Sequence, residues 1–260
     1  MIDIVPAELL PAVDSEYRKA ATLRSTRVLG AMLIAIAIVA GSVTAILAGP
    51  LDPEGQPVTG AATIGLYLAL TIVILTVGAF GAASAGSEYR YDTLAVTALF
   101  IPDRNQLIAA KLLVTAGAAL AAAAAAEIAA LTCLFLFGRD KFEVTGYLFA
   151  ALGGGLFAAV CWALIGTGIG LWLRSPSFGI ATVLGWIFVI EPLIWLVVDG
   201  IGRTGLATLL PVSATISTIA VGSFPDSDLL APAPAAVVVL LLWAIGSSAL
   251  GWWAVRNTEL

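Results

Sequence analysis

The chain has 260 residues, 60% of them apolar and only 11% charged, with a mean hydropathy of +1.04. Soluble domains carry about a quarter charged residues, so a water-soluble globule is excluded. Twelve Lys plus Arg against seventeen Asp plus Glu leave a net charge of −5, which disfavours nucleic-acid binding and a polybasic role at the membrane surface. The sequence has no histidine, which removes His-based acid–base catalysis, Ser/His/Asp and Cys/His triads and His-ligated metal sites.

Residues 1–27 precede the first long apolar run and carry Arg18, Lys19, Arg24 and Arg27. Beyond them, six runs reach the roughly twenty residues that a helix needs to cross a hydrocarbon core of about 30 Å. The first covers 28–48 and the second 61–83, separated by a Pro- and Gly-rich stretch at 49–55 that cannot continue a helix. The third, 107–137, is overlong and either projects from the bilayer or tilts within it. The fourth covers 146–173. After Arg174-Ser175-Pro176 the fifth covers 178–198, and the sixth covers 235–255. The reading is therefore an all-α polytopic membrane protein with a single transmembrane domain. A long acidic N-terminus and a first run of full spanning length predict a retained span and not a cleaved signal peptide.

Basic residues in short loops stay on the cytoplasmic side. Arg18, Lys19, Arg24, Arg27, Arg90, Arg104, Lys111, Arg174 and Arg256 fall on one side of the six-span layout, and only Arg139, Lys141 and Arg203 on the other. Both termini are expected to be cytoplasmic. Trp172, Trp252 and Trp253 near one set of span ends and Trp195 near the other match interfacial belts, while Trp162, Trp186 and Trp243 lie deeper, where packing is favoured over a ligand cage. Cys133 and Cys161 sit inside apolar runs and read as small buried hydrophobes. Gly and Ala concentrated in spans two to four let helix backbones approach closely and predict a compact bundle or an oligomer.

The most informative stretch is the cytoplasmic loop at 86–106, between spans two and three. Asp92 or Thr93 can cap a short helix whose apolar side chains Leu94, Val96, Leu99 and Phe100 cannot all face the bilayer, and Pro102 ends it. A short helix of this kind suits docking into a groove on a soluble partner. The alternative is an interfacial helix resting on the headgroups.

Glu88-x-Arg90-x-x-Thr93, then Pro102-x-Arg104, then Lys111-Leu112-Leu113 opening a long helix, resembles the permease subunits of ABC-2 type ATP-binding-cassette exporters. Ser15-Glu16-x-x-Lys19 with Thr22-Leu23-Arg24-Ser25 before span one, and Leu210-Pro211 before span six, are similar to that family too. With six spans in this length the resemblance covers essentially the whole chain. One departure is Asp92, where such permeases usually carry Gly before the Thr.

The resemblance implies a bacterial plasma-membrane, multi-pass permease that is not itself catalytic and binds no cofactor. ATP and Mg2+ would sit in a separate P-loop ATPase subunit, and a second permease, identical or homologous, would complete the transporter. Contact with the ATPase would fall on the coupling helix and its flanks, Glu88, Arg90, Thr93, Leu94, Leu99, Pro102 and Arg104. Residues 15–26 would form an amphipathic interfacial helix, although Arg24 and Arg27 interrupt any apolar face there. None of the three lysines lies in a Gly-x-x-x-x-Gly-Lys-Ser/Thr context, so the chain has no P-loop of its own. The expected cargo is an amphipathic drug, peptide or lipid-like molecule moved outward.

Residues 199–234 contain an apolar portion broken by Pro211 and too polar to span, which suggests a re-entrant helical hairpin between spans five and six, with an ordinary outer loop as the alternative. Glu127 and Glu191 are the clear ionisable residues at membrane depth, roughly 20 to 30 Å from the inner surface at the helical rise. Either they line one cavity, with Pro192 bending span five around it and Pro211 nearby, and favour cationic amphiphiles, or they are neutral or paired with Arg139, Lys141 or Arg203 and fix helix packing.

Two other functions compete. An intramembrane protease lacks the histidine or the aspartyl dyad that such chemistry needs. An ATPase-independent ion channel or proton-coupled carrier would use Glu127 and Glu191 as relays, but no inverted repeat is visible.

Overall fold

A computed structural model describes residues 9–51, 55, 57–101, 103–224 and 227–257; for Leu94, Ala95, Ala98 and Phe100 it describes the backbone only. Pro102 and the side chains of Leu94 and Phe100, named above, therefore lie outside the described residues. Among those described the structure is entirely helical.

Helix α1, Leu10–Thr22, turns Ala12 and Glu16 inward and leaves Asp14 and Arg18 paired at 2.8 Å on its exposed face. Leu23 breaks the helix with an extended ψ of 123°, and α2 restarts at Arg24 and runs to Leu47. That break explains the weak amphipathic signal over residues 15–26. Arg24 and Arg27 belong to the next helix, so they do not interrupt the face of α1.

A turn at Ala61–Thr63 leads into α3, Ile64–Arg90, which runs on past residue 83 to the end of the second span. The short α4, Thr93–Phe100, follows, and then α5, Arg104–Phe137, and α6, Gly146–Leu173. The fifth span is one continuous helix in three parts: α7, Pro176–Gly185, a π-helical turn at Trp186–Ile190, and α8, Glu191–Gly200. The widened turn falls where Pro192 removes the N–H that the Phe188 carbonyl would otherwise accept. A 3-10 turn at Thr204–Leu209 and α9, Pro211–Ile219, precede the last span, α10, Ala233–Arg256. Among the described residues six helices are thus long and apolar enough to cross a membrane.

Helix α6 is the centre, packed against α3, α5, α7, α9 and α10. Side chains are almost absent from its closest crossings. A Cβ at Gly166 would overlap the Gly78 carbonyl oxygen, and one at Gly168 would overlap the Ser247 carbonyl oxygen. In lipid no water-exclusion force draws helices together, so this close backbone approach supplies the attraction.

Helix α9 is wedged between α6 and α10, and a Cβ at Gly154 of α6 would overlap the Thr218 carbonyl oxygen. Three of its four hydroxyls turn back on the helix itself, Thr215 donating to the Pro211 carbonyl at 2.6 Å, Ser217 to Ser213 at 3.0 Å and Thr218 to Ala214 at 2.7 Å, while the buried Ser213 hydroxyl makes no such bond. A segment that reads as too polar to span thereby presents little free polarity to its neighbours.

Candidate functional site

The basic ends of α1, α3 and α5 meet in a buried knot of four charges. Lys111 of α5, 5% exposed, binds Glu16 of α1 at 2.9 Å and Glu88 of α3 at 2.8 Å. Lys19 binds Glu16 at 2.5 Å and Glu88 at 3.3 Å, and its ammonium also donates to the Thr97 hydroxyl of α4 at 3.4 Å. Two acids and two cations balance, which is the condition for holding charge out of water. Burial alone would push the Glu16 carboxyl up, but the attraction of Lys111 and the hydrogen bonds from Lys19 and Lys111 outweigh it and hold that carboxyl below its ordinary range.

Helix α4 hangs outside this knot. It opens on Asp92 at φ 52° in the left-handed region, the conformation that a glycine at this place takes without strain and that Asp tolerates better than most residues. The Asp92 side chain makes no capping bond; the Thr93 hydroxyl reaches the Glu88 carbonyl at 3.5 Å instead. Thr93 is exposed, as are Val96 at 56% and Leu99 at 80%. Arg90 is exposed too and lies 5.9 Å from the Tyr91 ring centre. Of the expected contact residues, then, Arg90, Thr93 and Leu99 are presented outward, whereas Glu88 is committed to the knot. Arg104 donates to the Val255 and Arg256 carbonyls at 3.2 Å each and so closes the end of α10.

At the other end of the bundle Glu191 is fully buried, at 0% exposure. Its carboxylate accepts from the Val212 N–H at 3.0 Å, the Ser213 N–H at 2.8 Å and the Trp186 indole N–H at 2.9 Å. The first two are orphan donors at the start of α9, so Glu191 caps a helix twenty residues further along the chain. The two other deep tryptophans brace the same region, Trp162 donating to the Thr215 hydroxyl at 2.8 Å and Trp243 to the Leu209 carbonyl at 2.9 Å. Pro192 stands in the first turn of α8 and Pro211 in that of α9.

Glu127 is elsewhere. It is 5% exposed on α5, pressed against Leu70 of α3 and Gly155 of α6, and its Oε1 has no hydrogen-bond partner. Among the described residues neither glutamate pairs with a basic residue, and the groups around Glu127 are not those that hold Glu191. Lys141, a suggested partner, instead donates to the Ala45 and Ile46 carbonyls at 3.0 and 2.9 Å and closes the end of α2.

Among the described residues, cavities lie along the bundle. A cleft of about 500 Å³, outer in the six-span layout expected from the sequence, runs between α3 and α9, with Tyr67, Thr71, Leu75, Trp162 and Thr215 in its wall and no charged group. A second, of about 450 Å³, is walled by Trp162, Trp172, Trp186 and Trp243. An inner cavity of about 920 Å³ opens beside the charge knot. The glutamates at membrane depth line none of them.

Sequence reading missed the knot and the Glu191 cap. Glu16 and Lys19 stand three apart on one helix, a visible signal, but Lys111 and Glu88 come from other helices. The α9 partners of Glu191 are backbone groups, which leave no residue-type signature. No family model matches the chain, and no curated protein matches it.

Two measurements check this geometry. Glu16 has a lowered folded pKa, so its contribution to stability is present above the unfolded carboxyl pKa and is lost as the pH falls through the folded value. Thermal unfolding in detergent is expected to show an acid-side loss of stability that Glu16→Gln reduces. Glu191→Leu is expected to destabilise the protein by about 1–3 kcal/mol for each orphaned donor, with Glu191→Gln, which keeps one acceptor oxygen, falling in between; equal melting of all three proteins would contradict the capping role.

Proposed function

We propose that this chain is the membrane-spanning permease subunit of an ABC-2 type exporter, which moves an amphipathic molecule outward using ATP hydrolysed by a separate P-loop ATPase. The chain itself is then not catalytic, and it lies in a bacterial plasma membrane with its basic face, and both termini, in the cytoplasm. The observation that carries the reading is α4: a short helix held beyond the ends of the long ones, with Val96 and Leu99 facing outward. An isolated apolar pair in water costs free energy that docking into a partner groove recovers. Lys19 links α4 to the charge knot through Thr97, so force applied to α4 reaches α1, α3 and α5 together.

A second permease, identical or homologous, has a place to pack. The fifth span is the least buried of the six, with Phe178, Phe188, Leu193 and Leu196 all exposed. The turn and helix at 204–219 form a re-entrant closure on the outer side, anchored by Glu191. An ATPase-independent carrier reading rests on the unpartnered Glu127, but a relay needs access to water, and that carboxyl is enclosed by Leu70 and Gly155.

A mild-detergent pull-down of the chain from its host, with mass spectrometry and a vanadate-sensitive ATPase assay, tests the proposal. A near-stoichiometric P-loop subunit is expected to co-elute, and Val96→Asp with Leu99→Asp is expected to release it while the melting temperature of the bundle is unchanged. A folded chain eluting alone contradicts the exporter reading.

A further inference from the structure

The inner cavity has two kinds of wall. At its basic end stand Glu16, Lys19, Glu88, Arg90 and Lys111; deeper in the bundle its lining is mainly apolar and includes Leu29, Leu75, Phe80, Ile180 and Leu184, with the hydroxyl-bearing Thr76 and Thr115 among them. Such a division fits a molecule with a polar head and an apolar tail. The sign of the head follows from which charges are still accessible. The side chains of Glu16 and Glu88 are 9% and 8% exposed and both are bound to Lys111, itself 6% exposed; Lys19 binds the same two carboxylates but keeps 36% of its side chain exposed. Arg90 is exposed and has no carboxylate partner among the described residues. Two acids stand against three cations in this wall; the knot balances two of each, so the positive charge left over is the guanidinium of Arg90, and Lys19 is the most exposed member of the knot.

We propose that the inner cavity is a binding site for an anionic amphiphile, its headgroup held by Lys19 and Arg90 and its chain lying along α3 toward Leu75. As the loading site of an exporter it rests on the permease reading; as a binding site it stands on this geometry. Residues 75 to 90 of α3 rise about 22 Å, the reach of a hexadecyl chain. Leu75 lines both the inner cavity and the outer cleft, so the tail of a bound molecule ends at the wall of the next compartment. The outer cleft carries no charge, so the cations that select the head are confined to the inner end. This choice of sign is opposite to the one that a lining of Glu127 and Glu191 would impose.

The test uses the purified full chain in a neutral maltoside detergent, with hexadecyl phosphate and hexadecyltrimethylammonium as probes of equal chain length, and binding read by native mass spectrometry. The phosphate is expected to bind about tenfold more tightly than the trimethylammonium, the scale of one charge-assisted contact. Arg90→Gln is expected to remove most of that preference, and Ala79→Phe, which fills the apolar wall, to weaken both probes. Should Ala79→Phe not fold, Ala83→Leu fills the same wall. Equal or tighter binding of the trimethylammonium overturns the proposal, as does phosphate binding that neither the Arg90 nor the wall variant alters. A chain that co-elutes with a P-loop ATPase yet shows no anionic preference refutes this site alone. Anionic preference in a chain without an ATPase keeps the site and refutes the exporter.

Discussion

Lys111 bonded to Glu16 and Glu88, with Lys19 completing the pairings, fixes how the basic end of this bundle is assembled. Each of those charges alone would be expelled from so dry a place; together they are tolerated, and only in one arrangement of three helices. The knot pulls α1 against α5 although the two are separated in the chain by two spans. It also determines what is left outside. With Glu88 consumed, the face around α4 shows Arg90, Thr93, Val96 and Leu99, and the wall of the inner cavity holds three cations against two paired acids.

The same economy of polar groups governs the rest of the molecule. Backbone groups at helix ends lack intrahelical partners, and here side chains remote in sequence serve them: Glu191 for the start of α9, Lys141 for the end of α2, Arg104 for the end of α10. Between these fixed ends the helices pack through glycine and carbonyl contacts with almost no interposed side chain. Less regular backbone includes the π-helical turn before Pro192 and the left-handed residues Asp92, before α4, and Arg174, after α6.

The six long helices were legible in the sequence because twenty apolar residues in a row have one physical outcome in a bilayer. The short helix after span two was legible from its flanking charges, its apolar run and the single proline after it. Less could be read where an interaction crosses the chain. Glu191 stood out as an ionisable group at depth, but nothing in its neighbours said that it would cap a helix, since its partners are two backbone N–H groups and one indole. Glu88 looked like part of an exposed motif, and its burial depends on a lysine from another helix. For α1, a window drawn across Leu23 mixed two helices and hid the amphipathic face of the first.

Taken as a permease, the chain divides into an inner half that receives force and an anionic-headed cargo and an outer half closed by α9. Everything in that account turns on what meets α4. Placing a photo-crosslinking amino acid at Leu99 in native membranes, with Leu196 of the fifth span as the control, tests this most directly. The account predicts a crosslink from residue 99 to a soluble protein bearing a P-loop, and none from residue 196 to that protein. Crosslinks from residue 99 to lipid alone would contradict it and leave α4 as a helix resting on the membrane surface.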